Sequence, residues 1–343
     1  MPEAPKIICK NVWKIFGTYP NRTLENLDGS LSRAEVQAQT GHVIGVNDVS
    51  FDIKKGETFV VMGLSGSGKS TLVRCISRLI EPTAGEIFVD GENIMTYNKA
   101  QLIELRRFRM SMVFQHFGLF PHRKVIDNIS FGLEIRGMDK KVRKAKAMEV
   151  LEKVGLHGWA DHYPRELSGG MQQRVGLARA MAVDPEILMF DEPFSALDPL
   201  IRREMQDELL NIQAEVQKTM MFITHDFLEA IKMGDRIAIM KDGVVVQIGT
   251  SEEIVTDPVD SYVREFTEDV PRYKVLSVGK IMRDASDAVL NNDTERVSAH
   301  AKLDSLIDIA TQCDGPLAVI NDENQIIGEI DQTMILKAMD SGS

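Results

Sequence analysis

The run Gly63-Leu64-Ser65-Gly66-Ser67-Gly68-Lys69-Ser70, followed by Thr71, fits the pattern G-x-x-x-x-G-K-[ST] without a mismatch. The chemistry this spacing serves is the binding of a polyphosphate. Glycines let successive backbone N–H groups turn inward onto phosphate oxygens. A helix opening at the end of the run adds the partial positive charge of its N-terminus. Lys69 can reach the outer phosphates, and Ser70 can offer its hydroxyl to Mg²⁺. Far along the chain, the apolar residues 187–190 end in Asp191-Glu192. Asp191 suits the Mg²⁺ shell, and Glu192 suits orienting or deprotonating the water that attacks a terminal phosphate. On their own, two acids after an apolar strand could be a solvated strand end. With the phosphate loop upstream they read as a hydrolytic pair.

Other residues could serve the same chemistry. Gln115 follows the apolar strand 110–114, where a glutamine can bridge to Mg²⁺ or to the attacking water. His225 closes the strand 219–224 and could contact the γ-phosphate as a sensor, although a lone histidine is more often structural. Leu167-Ser168-Gly169-Gly170-Met171-Gln172-Gln173-Arg174 opens a helix: Ser168 suits an N-cap, and Gly169 and Gly170 expose backbone N–H groups. That is either an ordinary capped helix or a second anion site, complementary to a triphosphate. Trp13, Phe16 and Tyr19 cluster ahead of the loop. Phe16 is the first choice for stacking on adenine and Trp13 the second, with core or edge packing as the alternative for all three.

These residues need rigid supports. Residues 59–62 read as a buried strand and 71–80 as the following helix, the setting that the phosphate-loop motif requires. Residues 6–16 and 43–53 read as strands. The polar segment 18–41 between them is an insertion with a capping box, Ser32-Arg33-Ala34-Glu35, and a helix-ending Gly41. Strand, turn and strand follow over 85–95, then a helix over 99–107. Helices are expected over 125–135, 140–154 and 169–182, a helical insert inside an α/β domain. Pro199 opens a helix running to 217. A hairpin spans 236–248, Ser251 is expected to cap a short helix, and Pro258 to end it.

The length suggests about two domains. No apolar run approaches the roughly twenty residues that span a bilayer. The first ten residues lack a signal peptide's pattern, which points to a cytosolic protein. Cys9, Cys75 and Cys313 have no metal or redox spacing. A net charge of −11 argues against a general nucleic-acid binder. The basic clusters at 106–109 and 140–146 read as solvated helix faces.

Taken in order, the phosphate loop, Gln115, Leu167 to Gln173, Asp191-Glu192, Ser195 to Asp198 and His225 resemble the nucleotide-binding subunit of an ABC transporter. The resemblance covers about residues 6–255, and Leu-Ser-Gly-Gly is its discriminating part. It implies an α/β P-loop ABC ATPase: a RecA-like core, an antiparallel β subdomain and a helical subdomain over about 116–183. It implies ATP and Mg²⁺ as ligands and a head-to-tail homodimer. Each ATP would lie between Gly63 to Thr71 of one subunit and Ser168, Gly169 and Gly170 of the other. Asp198 would couple the two sites, and Gln115 would pass closure to a membrane permease. The chain would then sit at the cytoplasmic face of the inner membrane, held by that permease and served indirectly by a substrate-binding protein.

A narrower resemblance is to importer subunits for glycine betaine, choline and related quaternary amines. It rests on residues 62–71, on Leu167 to Arg174 with Met171 where most relatives have glutamine, and on the insertion. An amino-acid importer and a soluble ABC ATPase acting on DNA or ribosomes are the alternatives. On this reading 1–265 form the nucleotide-binding domain, 266–275 a linker and 276–343 a small α+β regulatory domain. Its strands at 317–320 and 326–330, and its helices at 303–310 and 333–339, resemble one CBS repeat. Such repeats normally pair, so pairing between two subunits is the expected substitute. From Pro271 onward there are seven Lys/Arg against twelve Asp/Glu. Anionic lipids attract basic clusters, so this tail would not be drawn to them.

Overall fold

The computed structural model describes residues 4–27, 31–115, 118–286, 289, 294–306, 309 and 315–340. The chain divides into two compact units, Met1–Ile248 and Gly249–Ser343. The division falls earlier than the linker expected at 266–275.

The first unit opens with strand β1 (Ile7–Phe16), helices α1 (Pro20–Glu25) and α2 (Arg33–Thr40), and strand β2 (Val43–Ile53). β1 pairs antiparallel with β2 and with β4 (Ala84–Val89), which continues to β5 (Glu92–Asn93). The insertion takes its expected form: Ser32 and Glu35 make a reciprocal capping box, and Gly41 ends α2 in the left-handed conformation. Val36 packs with Ile15 and Ile44 of the sheet, joined by Leu24, Leu27 and Leu31.

The second sheet carries the chemistry. It contains β3 (Thr58–Met62), β6 (Met110–Val113), β7 (Ile187–Asp191), β8 (Thr219–Thr224), β9 (Arg236–Lys241) and β10 (Val244–Gly249), in the order β10-β9-β3-β8-β7-β6. β9, β3, β8, β7 and β6 run parallel. β3, β7 and β8 are buried along their whole length, as apolar runs covered on both faces should be. Parallel strands end on one edge, and ligands bind beyond the carboxyl ends of such sheets. The register pairs Met62 with Thr224, Asp191 with Ile223 and Val113 with Phe190. Gly63, Glu192, His225 and Gln115 therefore come off the same edge.

Helix α3 (Lys69–Ile76) packs against strands of both sheets. Its Leu72, Val73 and Ile76 share one core with Ile7 and Ile53 of the antiparallel sheet and with Val61, Met189 and Ile223 of the parallel one. The helix expected over 99–107 is α4 (Lys99–Glu104) followed by a π-helical turn, Leu105–Arg109. The one expected over 125–135 breaks at Ser130 into α5 (Val125–Ile129) and α6 (Phe131–Ile135). With α7 (Lys140–Lys153) these pack on α8 (Gly169–Ala182). α9 (Pro199–Val216) and α10 (Phe227–Met233) complete the unit.

The second unit begins with α11 (Ser251–Thr256) and α12 (Ser261–Thr267). The cap of α11 is Thr250, whose hydroxyl accepts from the Glu253 N–H; Ser251, expected to cap, is the first helical residue. After α13 (Val278–Ile281) come β11 (Arg296–Ser298), β12 (Leu317–Ile320), β13 (Ile326–Ile330) and α14 (Gln332–Asp340). β11 and β12 run parallel, and β13 returns antiparallel to β12. Val278, Leu303, Val319, Ile330 and Ile335 form the core. Residues 303–306 are a 3₁₀ turn. Part of the helix expected at 303–310, and Cys313, lie outside the described residues.

Candidate nucleotide site

The phosphate loop leaves β3 and enters α3 through three glycines of positive φ, Gly63 (+149°), Gly66 (+80°) and Gly68 (+107°). Two of them are also sterically closed to any other residue. A Cβ on Gly63 would lie 2.2 Å from the Met240 carbonyl oxygen, and one on Gly68 2.2 Å from that of Gly45. Lys69, 4% exposed, donates to the carbonyls of Gly63 (2.9 Å) and Leu64 (3.1 Å). Its ammonium stands 3.7 Å from Glu192 Oε1. Burial pulls the Lys69 pKa below the ordinary lysine value, and Glu192 and Asp191 oppose that shift. The Ser67 hydroxyl is buried without a hydrogen-bond partner, an orphan that an anion in the cradle would satisfy.

Ser70 and Asp191 meet directly: the serine hydroxyl donates to Asp191 Oδ1 at 2.7 Å. Two protein oxygens beside a phosphate cradle fit Mg²⁺, which keeps most of its waters and takes one or two protein ligands. The other carboxylate oxygen of Asp191 accepts from Arg74 at 3.1 Å. Arg74 was not singled out from the sequence, yet it lies four residues after Ser70 on one helix, so the two share a face.

Glu192 sits at φ +48°, a left-handed conformation unusual for a residue with a Cβ. It turns the chain sharply off the strand, and the Glu192 N–H donates to the Ile223 carbonyl at 3.2 Å. Its carboxylate Oε2 lies 3.3 Å from His225 Nδ1. Gln115 meets the turn that follows β7. Its amide donates to the Ser195 hydroxyl at 3.2 Å, which in turn donates to the Glu192 carbonyl at 3.0 Å. Ser195 thus links Gln115 to Glu192, a role that needs the three-dimensional turn and has no sequence signal.

Phe16 ends β1 and is 39% exposed. A Cβ on Gly45 would stand 2.7 Å from its ring and 3.1 Å from the methyl of Thr71, so the ring borders the first turn of α3. Lys14 covers one face at 5.1 Å. Trp13 is half-buried along the sheet, whereas Tyr19 is 67% exposed on the insertion side.

Ser168, Gly169 and Asp198 gather elsewhere. The Ser168 hydroxyl accepts from the Met171 N–H and caps α8, and Asp198 accepts from the Ile201 N–H and caps α9. Gly170 is the close approach: a Cβ there would meet Ile201 at 2.5 Å. The nearest side chain to a Cβ on Gly169 is Leu197. Ser168, Gly169 and Asp198 are solvent-exposed. Among the described residues, their contacts stay within these two helix starts.

A phosphate cradle, a carboxylate pair at the strand edge and an inserted helical segment define a P-loop ATPase. Residues 46–195 match the ABC transporter family. The chain is 49% identical over 332 residues to the trimethylamine N-oxide transport system ATP-binding protein TmoW of Pelagibacter ubique, covering 97% of this chain and 96% of that one. It is 55% identical to the glycine betaine transport ATP-binding protein OpuAA of Bacillus subtilis, over 82% of this chain and 68% of the relative. Among solved structures, the dimeric ATP-binding cassette MJ0796 in a post-hydrolysis state, bound to ADP and Pi, superposes with a TM-score of 0.60 at 32% identity. That match covers 71% of this chain and 98% of the cassette. The chain belongs to the ATP-binding subunits of ABC transport systems; it is an ATPase that binds ATP. No described helix is long and apolar enough to cross a membrane.

Proposed function

We propose that this chain is the ATP-hydrolysing subunit of an importer for a small methylated amine, with trimethylamine N-oxide as the first candidate solute. The observation that carries the solute is end-to-end similarity. The match spans 96% and 95% of two subunits for trimethylamine N-oxide, but 68% and 70% of the glycine betaine subunits OpuAA and ProV. The relatives that share the whole length, including the short second unit, serve the amine oxide.

In the proposed mechanism Phe16 stacks on adenine while residues 63–71 surround the phosphates. Lys69 moves its charge from the Gly63 and Leu64 carbonyls toward the outer phosphates. Ser70 and Asp191 would hold Mg²⁺, which when bound would neutralise charge on the β- and γ-oxygens. Glu192 takes the proton of the attacking water, and His225, 3.3 Å away, holds the carboxylate and senses the γ-phosphate. Ser168, Gly169 and Gly170 of a second subunit close over the ATP in a head-to-tail dimer, with Asp198 at the seam. Exposure of this corner, away from its own phosphate loop, supports that arrangement.

The Gln115–Ser195–Glu192 chain gives a permease a route to the base. A groove of about 390 Å³ beside β6 has apolar walls of Ile103, Met112, Phe131 and Ile135, with Arg107 and Arg179 among its lining. We assign this groove to the permease, which would hold the chain peripherally at the cytoplasmic membrane face. For the second unit, the β11-β12-β13 sheet and α14 favour a CBS-like module that pairs between two subunits.

The test is ATP hydrolysis by the chain with its permease and binding protein in lipid discs. Trimethylamine N-oxide should stimulate hydrolysis more than glycine betaine or choline. Stimulation by glycine betaine alone would overturn the solute, and hydrolysis indifferent to every solute would overturn the importer.

A further inference from the structure

Among the described residues, a side chain of the insertion between β1 and β2 reaches the phosphate loop. Arg33, the first residue of α2, donates from Nη1 to the Gly66 carbonyl at 2.8 Å. Its helix is anchored at both levels. The Ser32–Glu35 capping box fixes its first turn, and Val36 sits in the small core with Ile15 and Ile44. The Glu35 carboxylate is engaged with the Ser32 N–H and hydroxyl, at 2.7 and 2.6 Å. Among the described residues Arg33 has no carboxylate partner. Its guanidinium stands against the loop that receives a polyanion.

The contact falls on a glycine that no neighbour crowds. Gly66 has φ +80°, and a Cβ there would meet nothing within 4 Å, so packing does not hold it. Its carbonyl and the Ser67 N–H belong to one peptide plane and point in opposite directions, the N–H donating inward to the Leu64 carbonyl at 3.2 Å. If that peptide turned over, this turn bond would be lost and a carbonyl would enter the loop in place of an amide. Glycine permits such a turn at little steric cost. A guanidinium on the carbonyl adds to that turn bond in holding the orientation, and charge-assisted hydrogen bonds are the strong ones.

We propose that Arg33 is a positioning residue: the insertion latches the phosphate loop from outside with its 66–67 peptide set to receive phosphate. This assigns a role to a segment whose sequence declared none. It rests on the reading of residues 63–71 as the ATP site, so the test begins with nucleotide binding by the unaltered chain.

The experiment uses the full chain, Arg33→Ala and Arg33→Lys, with melting temperatures recorded for each. Steady-state hydrolysis yields KM and kcat, and inorganic triphosphate serves as a competitor lacking the base. Arg33→Ala should raise KM for ATP about tenfold with kcat within about twofold, the scale of one lost hydrogen bond to a charged group. Inhibition by triphosphate should weaken by the same factor, because the effect belongs to phosphate and not to adenine. Lysine can still donate to the carbonyl, so Arg33→Lys should recover most of the loss. An unchanged KM, a fall confined to kcat, or a lysine variant no better than alanine would each overturn the latch. Absence of ATP binding by the unaltered chain would instead overturn the site assignment beneath it.

Discussion

At the phosphate loop, Lys69 is bonded to two carbonyls, Asp191 to Ser70 and Arg74, and Glu192 faces both Lys69 and His225. At the start of α8, among the described residues, Ser168 is bonded within its own capping turn, and Asp198 likewise caps its own helix. The first corner is half-buried and its charges are mutually compensated. The second is solvent-exposed. A helix N-terminus attracts anions, so on the proposed reading the second corner meets the nucleotide of another subunit, while the first holds and cuts its own. On that reading one subunit carries two unlike half-sites, each incomplete without the other.

The sharpest way to break this division is to disable chemistry without disturbing the second corner. Glu192→Gln should keep ATP binding and lower turnover by about 10²–10⁴-fold, the scale of general-base help. The altered chain should collect as an ATP-bound dimer, measured by sedimentation alongside phosphate release. Near-normal turnover would remove Glu192 from its role. The converse change is Ser168→Arg, which puts a bulky cation where the second corner closes. Hydrolysis should fall on the order of 10²-fold, the cost of a misplaced reacting group. ATP should still bind to monomers, and an ATP-dependent dimer that persists in sedimentation would place the second corner away from the nucleotide.

The two corners also differ in how far their sequence announced them. The phosphate loop was legible because glycine spacing, lysine and hydroxyl are all fixed by one local task. Asp191-Glu192 was legible because a continuous apolar run marks a central parallel strand and its end. The cap of α8 was readable too, as was the capping box at Ser32–Glu35. What stayed hidden depended on contacts between distant segments. Gln115 reads as a bridge to Mg²⁺ or to the attacking water from its place after β6, and the turn after Glu192 that brings the Ser195 hydroxyl to its amide has no signal in the sequence. Arg74 and Arg33 look like surface cations in a helical pattern, and only the fold brings them to Asp191 and Gly66. The break at Ser130 and the π-helical turn after Glu104 are likewise set by packing against neighbours, which local propensity does not encode.

A smaller effect separates packing from chemistry in the second corner. A Cβ on Gly170 would stand 2.5 Å from Ile201 Cγ2, at the first turn of α9. Gly170→Ala should therefore cost about 1–3 kcal/mol, typical of overpacking, read as a lower denaturant midpoint without nucleotide. If stability is unchanged, the tight approach of α8 to α9 is not what requires glycine there.

The smallest expected effect concerns the adenine end of the first corner. The Phe16 ring borders Thr71 and Gly45 and carries Lys14 over one face. Phe16→Ala should weaken ATP by about 0.5–1.5 kcal/mol, the size of an aromatic stacking contact. Inhibition by inorganic triphosphate should not change, since it has no base to stack. That pattern is the reverse of the one expected for Arg33, where both ligands weaken together. If Phe16→Ala weakens triphosphate as much as ATP, the ring acts by propping the loop through Thr71. If neither changes while Trp13→Ala weakens ATP alone, the base lies along β1 and the second aromatic takes the role.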